Sequence, residues 1–337
     1  MPGKLTYREI LGQPACWESL LSSSLSPAFF LSSHVDELWF LGCGSSYHLA
    51  QTASFLFSPL LRTRAFSASE LMLFPEQLGR LQGRIGVVAF SRTGETTEVL
   101  RALEVLRALP SEMRFLGMTS VPNSSLSRAC DETVGVPVTE DSLVTTAAYS
   151  ANCLILAQWA ASWGRTLDLE PLKSLAFPAL DLAKHASRVA DDEALRHFVF
   201  LGAGSLYPLA QEGALKMMEM SGESAVSAFH SLEFRHGPKA TVTSRTLVTM
   251  LVSKAGAKQE KALHDELKAL GAKTLVLLGD EEASFPEADH VVSVGSATDF
   301  LRMILYAPTL QLLAYQRAMR NGTDPDSPPH LSRTVRI

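Results

Sequence analysis

Short apolar runs recur along the chain, each ending at a glycine or a small polar cluster and each followed by residues with helical spacing. Glu37 to Gly42 (ELWFLG), Arg84 to Phe90 (RIGVVAF) and Arg114 to Thr119 (RFLGMT) read as buried strands, and a shorter one follows at Val134 to Val138. Between them, Tyr47 to Leu60 and Thr96 to Ala108 read as helices, and Thr146 to Gly164 as a longer one. The second half repeats this order. Strands are predicted near His197–Gly202, Leu247–Val252, Thr274–Gly279 and His290–Val294, with a last helix over Asp299 to Met319. Tyr7 to Ser22 predicts an N-terminal helix, and the charged helical segment Leu167 to Asp192 carries the linker. Strands alternating with helices predict βαβ units on a mostly parallel sheet, an α/β fold.

Two stretches state the repeat directly. Phe40 to Gln51 reads FLGCGSSYHLAQ and Phe200 to Gln211 reads FLGAGSLYPLAQ, identical at nine of twelve positions. One αβ unit is therefore used twice. In each copy an apolar run ends in G-x-G-S and a helix follows, an arrangement that binds anions with free N–H groups and the positive end of the helix dipole.

The copies differ further on. Val87 to Thr96 reads VVAFSRTGET, against VTMLVSKAGA over Val248 to Ala257. Ser253 answers Ser91 and Gly256 answers Gly94, but Ala255 stands for Thr93, and Thr96 has no hydroxyl counterpart. The first copy thus keeps Ser91, Thr93 and Thr96 within one turn, where hydroxyls and helix N–H groups suit a phosphate dianion and Arg92 could add charge. A plain helix cap, with Ser91 or Thr93 capping and Glu95 in the first turn, is the other reading. In the second half, Glu212, Lys216 and Glu219 (EGALKMME) lie four and three apart and share a helix face. They read either as a solvated Glu–Lys pair or, flanked by Leu215, Met217, Met218 and Met220, as an acid–base group, since apolar surroundings raise a carboxyl pKa.

Composition narrows the partners. The 337 residues imply two domains of ordinary size, and 46% hydrophobic with 19% charged residues fits a globular enzyme with a large core. A net charge of −5 argues against nucleic acid. No stretch approaches the roughly 18 apolar residues of a membrane span, and the start lacks a signal-peptide core. Cys16, Cys43, Cys130 and Cys153 form no C-x-x-C pair, so neither a metal site nor a disulfide framework is expected, and a cytoplasmic location is.

S-x-[ST]-G-E-T in the first copy, with E-G-A-L-K-x-x-E and H-G-P in the second, resembles the tandem sugar isomerase (SIS) domain family. REILGQP near the start and DPDSPPHL in the tail resemble the family's two ends, so the likeness covers nearly the whole chain. The pattern resembles the isomerase half of glucosamine-6-phosphate synthase and SIS-type amino-sugar phosphate deaminases; no glutaminase domain is expected. The resemblance implies two tandem αβα SIS domains. Residues 1–165 would form the first with the N-terminal helix, and residues 166–337 the second with the linker helix and a C-terminal catalytic tail.

It also implies roles. Cys43, Ser45 and Ser46 would line the sugar-phosphate pocket, and Ser91, Arg92, Thr93 and Thr96 would hold the phosphate. Leu143 and Val144, in TEDSLVTT, would touch the sugar. Glu219 would be the base moving a proton between C1 and C2, with Glu212 and Lys216 beside it and Lys216 on a sugar hydroxyl. His236 would help open the ring, reaching across from the other subunit of a homodimer. The synthase pattern has glutamine where Arg92 stands, and an imine-forming lysine where Arg333 stands. An arginine stays protonated and forms no Schiff base, but it can stabilise developing negative charge. The expected activity is a cofactor-free isomerisation of a hexosamine 6-phosphate with loss of ammonia. A simple phosphosugar isomerase, a fructosamine-6-phosphate-type deglycase and a non-catalytic phosphosugar sensor are the alternatives.

Overall fold

The computed structural model describes residues 2–23, 25, 27, 35–79, 81–280, 283–335 and 337. The first half runs α1 (Lys4–Leu11), α2 (Gln13–Leu21), β1 (Glu37–Gly42), α3 (Ser45–Phe57), β2 (Arg62–Ser67), α4 (Ala68–Leu73), β3 (Arg84–Phe90), α5 (Thr97–Arg107), β4 (Glu112–Thr119), α6 (Ser125–Ala129), β5 (Glu132–Gly135) and α7 (Ala147–Ser162). The second runs α8 (Pro171–Ala186), β6 (His197–Gly202), α9 (Leu206–Ser221), β7 (Val226–His230), β8 (Thr246–Leu251), α10 (Ala257–Ala269), β9 (Lys273–Leu278), β10 (His290–Ser293) and α11 (Asp299–Asn321).

The chain folds as two compact units. The first-half unit comprises Ala15–Glu140, Ala147–Leu167 and the last six residues, Ser332–Ile337. The second-half unit comprises Met1–Pro14, Asp141–Thr146 and Asp168–Leu331.

In the first-half unit five parallel strands lie in the order β2-β1-β3-β4-β5. β1 is buried at all six positions, which is why it reads as an unbroken apolar run. Trp39 and Leu41 join Val87, Leu103 and Phe115 in one core cluster. Phe40, pointing the other way, packs on Phe57 of α3, whose ring lies 4.7 Å from that of Trp159 in α7. Helices therefore cover both faces. Each such side chain contributes about 1.5–3 kcal/mol by leaving water.

The second-half unit repeats the plan, in the order β10-β9-β8-β6-β7 and again parallel. Among the described residues each half has five strands where the sequence predicts four. β2 (RTRAFS) and β7 (VSAFH) are partly exposed edge strands without an apolar run. The predicted N-terminal helix is two helices, interrupted at Gly12. Among the described residues no helix is long and apolar enough to cross a membrane.

Both sheets reverse their strand order once, between β1 and β3 and between β6 and β8. In open α/β sheets the crevice at the carboxyl ends of two such strands is where ligands bind. The G-x-G-S loops sit there. A side chain on Gly42 would place its Cβ 2.5 Å from the backbone of Ser46, and one on Gly202 would sit 2.5 Å from the Leu206 carbonyl. The repeated glycine thus lets each helix start directly over its strand.

Candidate active site

The first-half crevice collects two loops. After β1, Gly44 (φ 54°) turns the chain so that α3 begins at Ser45 with no side-chain cap. After β3, α5 begins with Thr96 as its N-cap residue and again no side-chain cap. A helix start without a side-chain cap leaves its first N–H donors to other acceptors; in α3 the Ser46 and Tyr47 N–H groups donate to the Cys43 and Gly44 carbonyls, at 3.0 and 2.9 Å. The expected cap by Ser91 or Thr93 does not form. Instead Ser91 Oγ lies 2.9 Å from Thr96 Oγ1 and accepts the Gly94 N–H at 3.1 Å, while Thr93 Oγ1 accepts the Glu95 N–H at 3.3 Å. Glu95 lies outside the helix and receives the Ser125 N–H and hydroxyl, both at 2.8 Å. Gly94, at φ 69°, is fixed as glycine because a Cβ would lie 2.1 Å from Ser124 Oγ.

Arg92, next to Ser91 in this cluster, forms an ion pair. Its Nη1 donates to Glu140 Oε2 at 3.1 Å, in a pair whose side chains are 13% and 2% exposed. Glu140 Oε1 also accepts the Ala148 N–H at 2.8 Å, at the start of α7. The tail meets the same residues. Arg333 Nη2 donates to the Glu140 carbonyl, Thr334 Oγ1 donates to Thr93 Oγ1 at 3.1 Å, and the Val335 carbonyl accepts the Thr97 N–H at 3.4 Å. Ser91, Thr93, Thr96, Arg92 and Arg333 are therefore in one neighbourhood, with the tail across the helix start.

Cys43, Ser45 and Ser46 are half-buried on the β1 loop, with Cys43 Sγ 3.7 Å from Ser69 Oγ. Burial pushes the Cys43 thiol pKa up; the Ser69 hydrogen bond opposes this and the charge on Glu98 adds to it. Thiolate is the reactive form, so Cys43 is expected to be alkylated by iodoacetamide at pH 8 more slowly than free cysteine, as read by mass spectrometry. Reaction at the free-thiol rate would contradict the burial.

In the second-half unit, α9 brings Glu212, Lys216 and Glu219 together. Lys216 Nζ pairs with Glu219 Oε2 and lies 3.4 Å from Glu212 Oε1. This is no solvated surface pair, since the side chains of Lys216 and Glu212 are 1% and 2% exposed. Glu219, by contrast, is 23% exposed and its neighbour Met218 faces solvent, so it is less enclosed by apolar groups than expected. His236 is exposed after a short 3-10 turn and makes no hydrogen bond or ion pair with that trio among the described residues. Val144 is buried and Leu143 half-buried on the 141–146 loop.

The SIS domain family matches residues 33–161 and 194–319. The chain belongs to the SIS domain family. It is 30% identical, over 94% of its length, to glutamine–fructose-6-phosphate aminotransferase (isomerizing) of Escherichia coli K12, of which it covers 54%. The chain spans about half the length of the curated relatives it matches. Among solved structures, glucosamine-6-phosphate deaminase from Thermotoga maritima aligns at TM-score 0.84 and 33% identity, over 98% of this chain and 99% of that one. The C-terminal domain of glucosamine-fructose-6-phosphate aminotransferase from Francisella tularensis aligns at 0.83 and 25% identity, over 96% and 97%.

Glu9 has a part in this SIS chain that its motif alone did not reveal. Its carboxylate accepts the Asp141 N–H at 2.7 Å, the Ser142 N–H at 3.2 Å and the Ser142 hydroxyl. The glutamate of REILGQP thus holds the loop that carries Leu143 and Val144. Its partners lie more than 130 positions away, so only the motif marked it.

Proposed function

We propose that this chain is a phosphosugar isomerase that acts on a hexosamine 6-phosphate and releases ammonia. The observation that carries the reading is the hydroxyl cluster of Ser91, Thr93 and Thr96 beside two uncapped helix starts at a strand-order switch. Such a place suits a phosphate dianion, with N–H and O–H donors and two helix dipoles. Similarity to a glucosamine-6-phosphate deaminase over nearly the whole chain supports the amino sugar.

In this mechanism Ser91, Thr93 and Thr96 hold the phosphate, while Cys43, Ser45 and Ser46 line the sugar. Arg92 keeps the loop in place through Glu140. His236, from the partner subunit of a homodimer, assists ring opening. Glu219 takes the proton from C2 of the open-chain aldose to give an enolamine, and returns a proton to C1. The resulting C2 imine adds water and expels ammonia, leaving the ketose 6-phosphate. Lys216 positions Glu219 and a sugar hydroxyl. Arg333 offsets negative charge that develops on the sugar oxygen. Because it remains protonated, no imine to the enzyme forms.

A coupled assay of ammonia release over a panel of amino-sugar 6-phosphates tests the reaction, and no release from any member would sink it. Replacing Thr93 and Thr96 with alanine is expected to weaken phosphosugar binding at least about tenfold, or about 1.4 kcal/mol. Ser253→Ala is expected to change it little. Equal losses in both proteins would remove the basis for a phosphate site in the first half.

A further inference from the structure

The two strand-order switches can be compared bond by bond. In both, a serine hydroxyl at the strand end accepts the N–H of the glycine three residues on, at 3.1 Å: Gly94 to Ser91, and Gly256 to Ser253. There the likeness stops. Ser91 spends its N–H on the neighbouring strand, donating to the Met118 carbonyl at 3.1 Å, and its hydroxyl meets Thr96. The second ladder ends one residue sooner, where the Val252 N–H meets the Leu277 carbonyl at 2.9 Å. Ser253 then turns both its N–H and its hydroxyl to Glu260 Oε2, at 2.8 and 3.1 Å. Glu260 Oε1 accepts the Ser231 hydroxyl at 2.7 Å.

Glu260 is 1% exposed. Burial raises its carboxyl pKa, against the pull of the three donors. A backbone N–H and two hydroxyls converging on a buried carboxyl group form a cradle for an oxyanion, here filled by the chain's own side chain. The first half has a glutamate in the same register, since Glu98 follows Gly94 by four residues as Glu260 follows Gly256. Yet Glu98 makes no hydrogen bond to Ser91, Thr93 or Thr96 among the described residues, and its Oε2 is buried without a hydrogen-bond partner there. The same residue type fills one turn and leaves the other open.

We propose that Glu260 is a specificity-determining residue whose carboxyl group occupies, in the second-half unit, the place that a phosphate takes in the first, and so confines phosphosugar to one half of the chain. The second-half turn is then an oxyanion site closed from within, open to a small carboxylate or phosphate once Glu260 is shortened. The comparison with the first half rests on the phosphate reading given above.

The test uses the full chain, with inorganic phosphate and acetate as probes. Wild-type protein is expected to bind one phosphate per chain in equilibrium dialysis and Glu260→Ala a second, which Ser253→Ala added to it should remove. Acetate or phosphate should also raise the melting temperature of Glu260→Ala more than that of wild type, because an anion bound only to the folded state stabilises it. A second equivalent or an anion-specific rise in melting temperature supports the proposal; a folded Glu260→Ala protein with neither overturns it. If that variant is unfolded in chloride buffer, refolding on acetate or phosphate supports the internal plug, and refolding on neither overturns it. Failure of the first-half reading looks different. Thr93→Ala/Thr96→Ala would then bind phosphate as wild type does, while the acetate response of Glu260→Ala would be unaffected.

Discussion

Glu219→Gln is expected to lower turnover roughly 10²–10⁴-fold with a modest change in KM, the range associated with loss of a positioned general base. The substitution keeps the shape of the side chain and removes its basicity. It should not unfold the protein, because Lys216 keeps its second carboxylate, Glu212 Oε1 at 3.4 Å, and so is not left as an unpaired buried charge. Glu219 is also the more exposed of the two acids, so its environment tolerates a neutral amide more readily than that of Glu212. Solvent-hydrogen exchange at C1 and C2 of the substrate isolates the proton-transfer step from binding and product release. Near-normal exchange in the glutamine variant would rule Glu219 out as the base.

The strands that frame the candidate site were legible because burial on both faces writes them as unbroken apolar runs, as in ELWFLG and RIGVVAF. Edge strands carry no such signature. β2 alternates Arg62 and Arg64 with smaller residues and so shows no apolar run, although it pairs with β1 along its full length. The anion-binding loops were legible through duplication, since a repeated G-x-G-S implies a repeated backbone need. Side-chain pairing across the fold was not. Nothing near Arg92 in the sequence points to Glu140, 48 positions away, as its partner, and Glu95 reads as a helix-start residue until Ser125 appears opposite it. Glu260 shows the same limit more sharply. In sequence it is one acid on an amphipathic helix, and only the fold brings Ser231 and Ser253 onto it.

Removal of the residues after Asp326 is expected to abolish turnover while leaving circular dichroism and cooperative melting close to wild type. The cut spares the part of the tail that supports the fold. Asp324 Oδ1 accepts the Gly3 N–H at 2.8 Å, and Asp326 accepts the Leu5 and Thr6 N–H groups at 2.9 and 2.8 Å and the Thr6 hydroxyl at 2.8 Å. Those bonds satisfy the first donors of α1, which would otherwise lack partners, and α1 in turn carries Glu9 and its hold on the 141–146 loop. The cut does remove Arg333 from the Glu140 carbonyl, Thr334 from Thr93 and Val335 from the Thr97 N–H. The hydroxyl cluster then loses its cover and the reaction loses a cation. Arg333→Lys in the full chain separates these two effects, because it keeps the cover and a positive charge. That variant is expected to retain part of the activity, and borohydride with substrate is expected to trap an adduct on it but none on wild type, since lysine can lose its proton where arginine cannot. An adduct on the wild-type enzyme would show that some other residue forms an imine. Full activity in the truncated protein would leave Arg333 without a catalytic role and reduce the tail to packing.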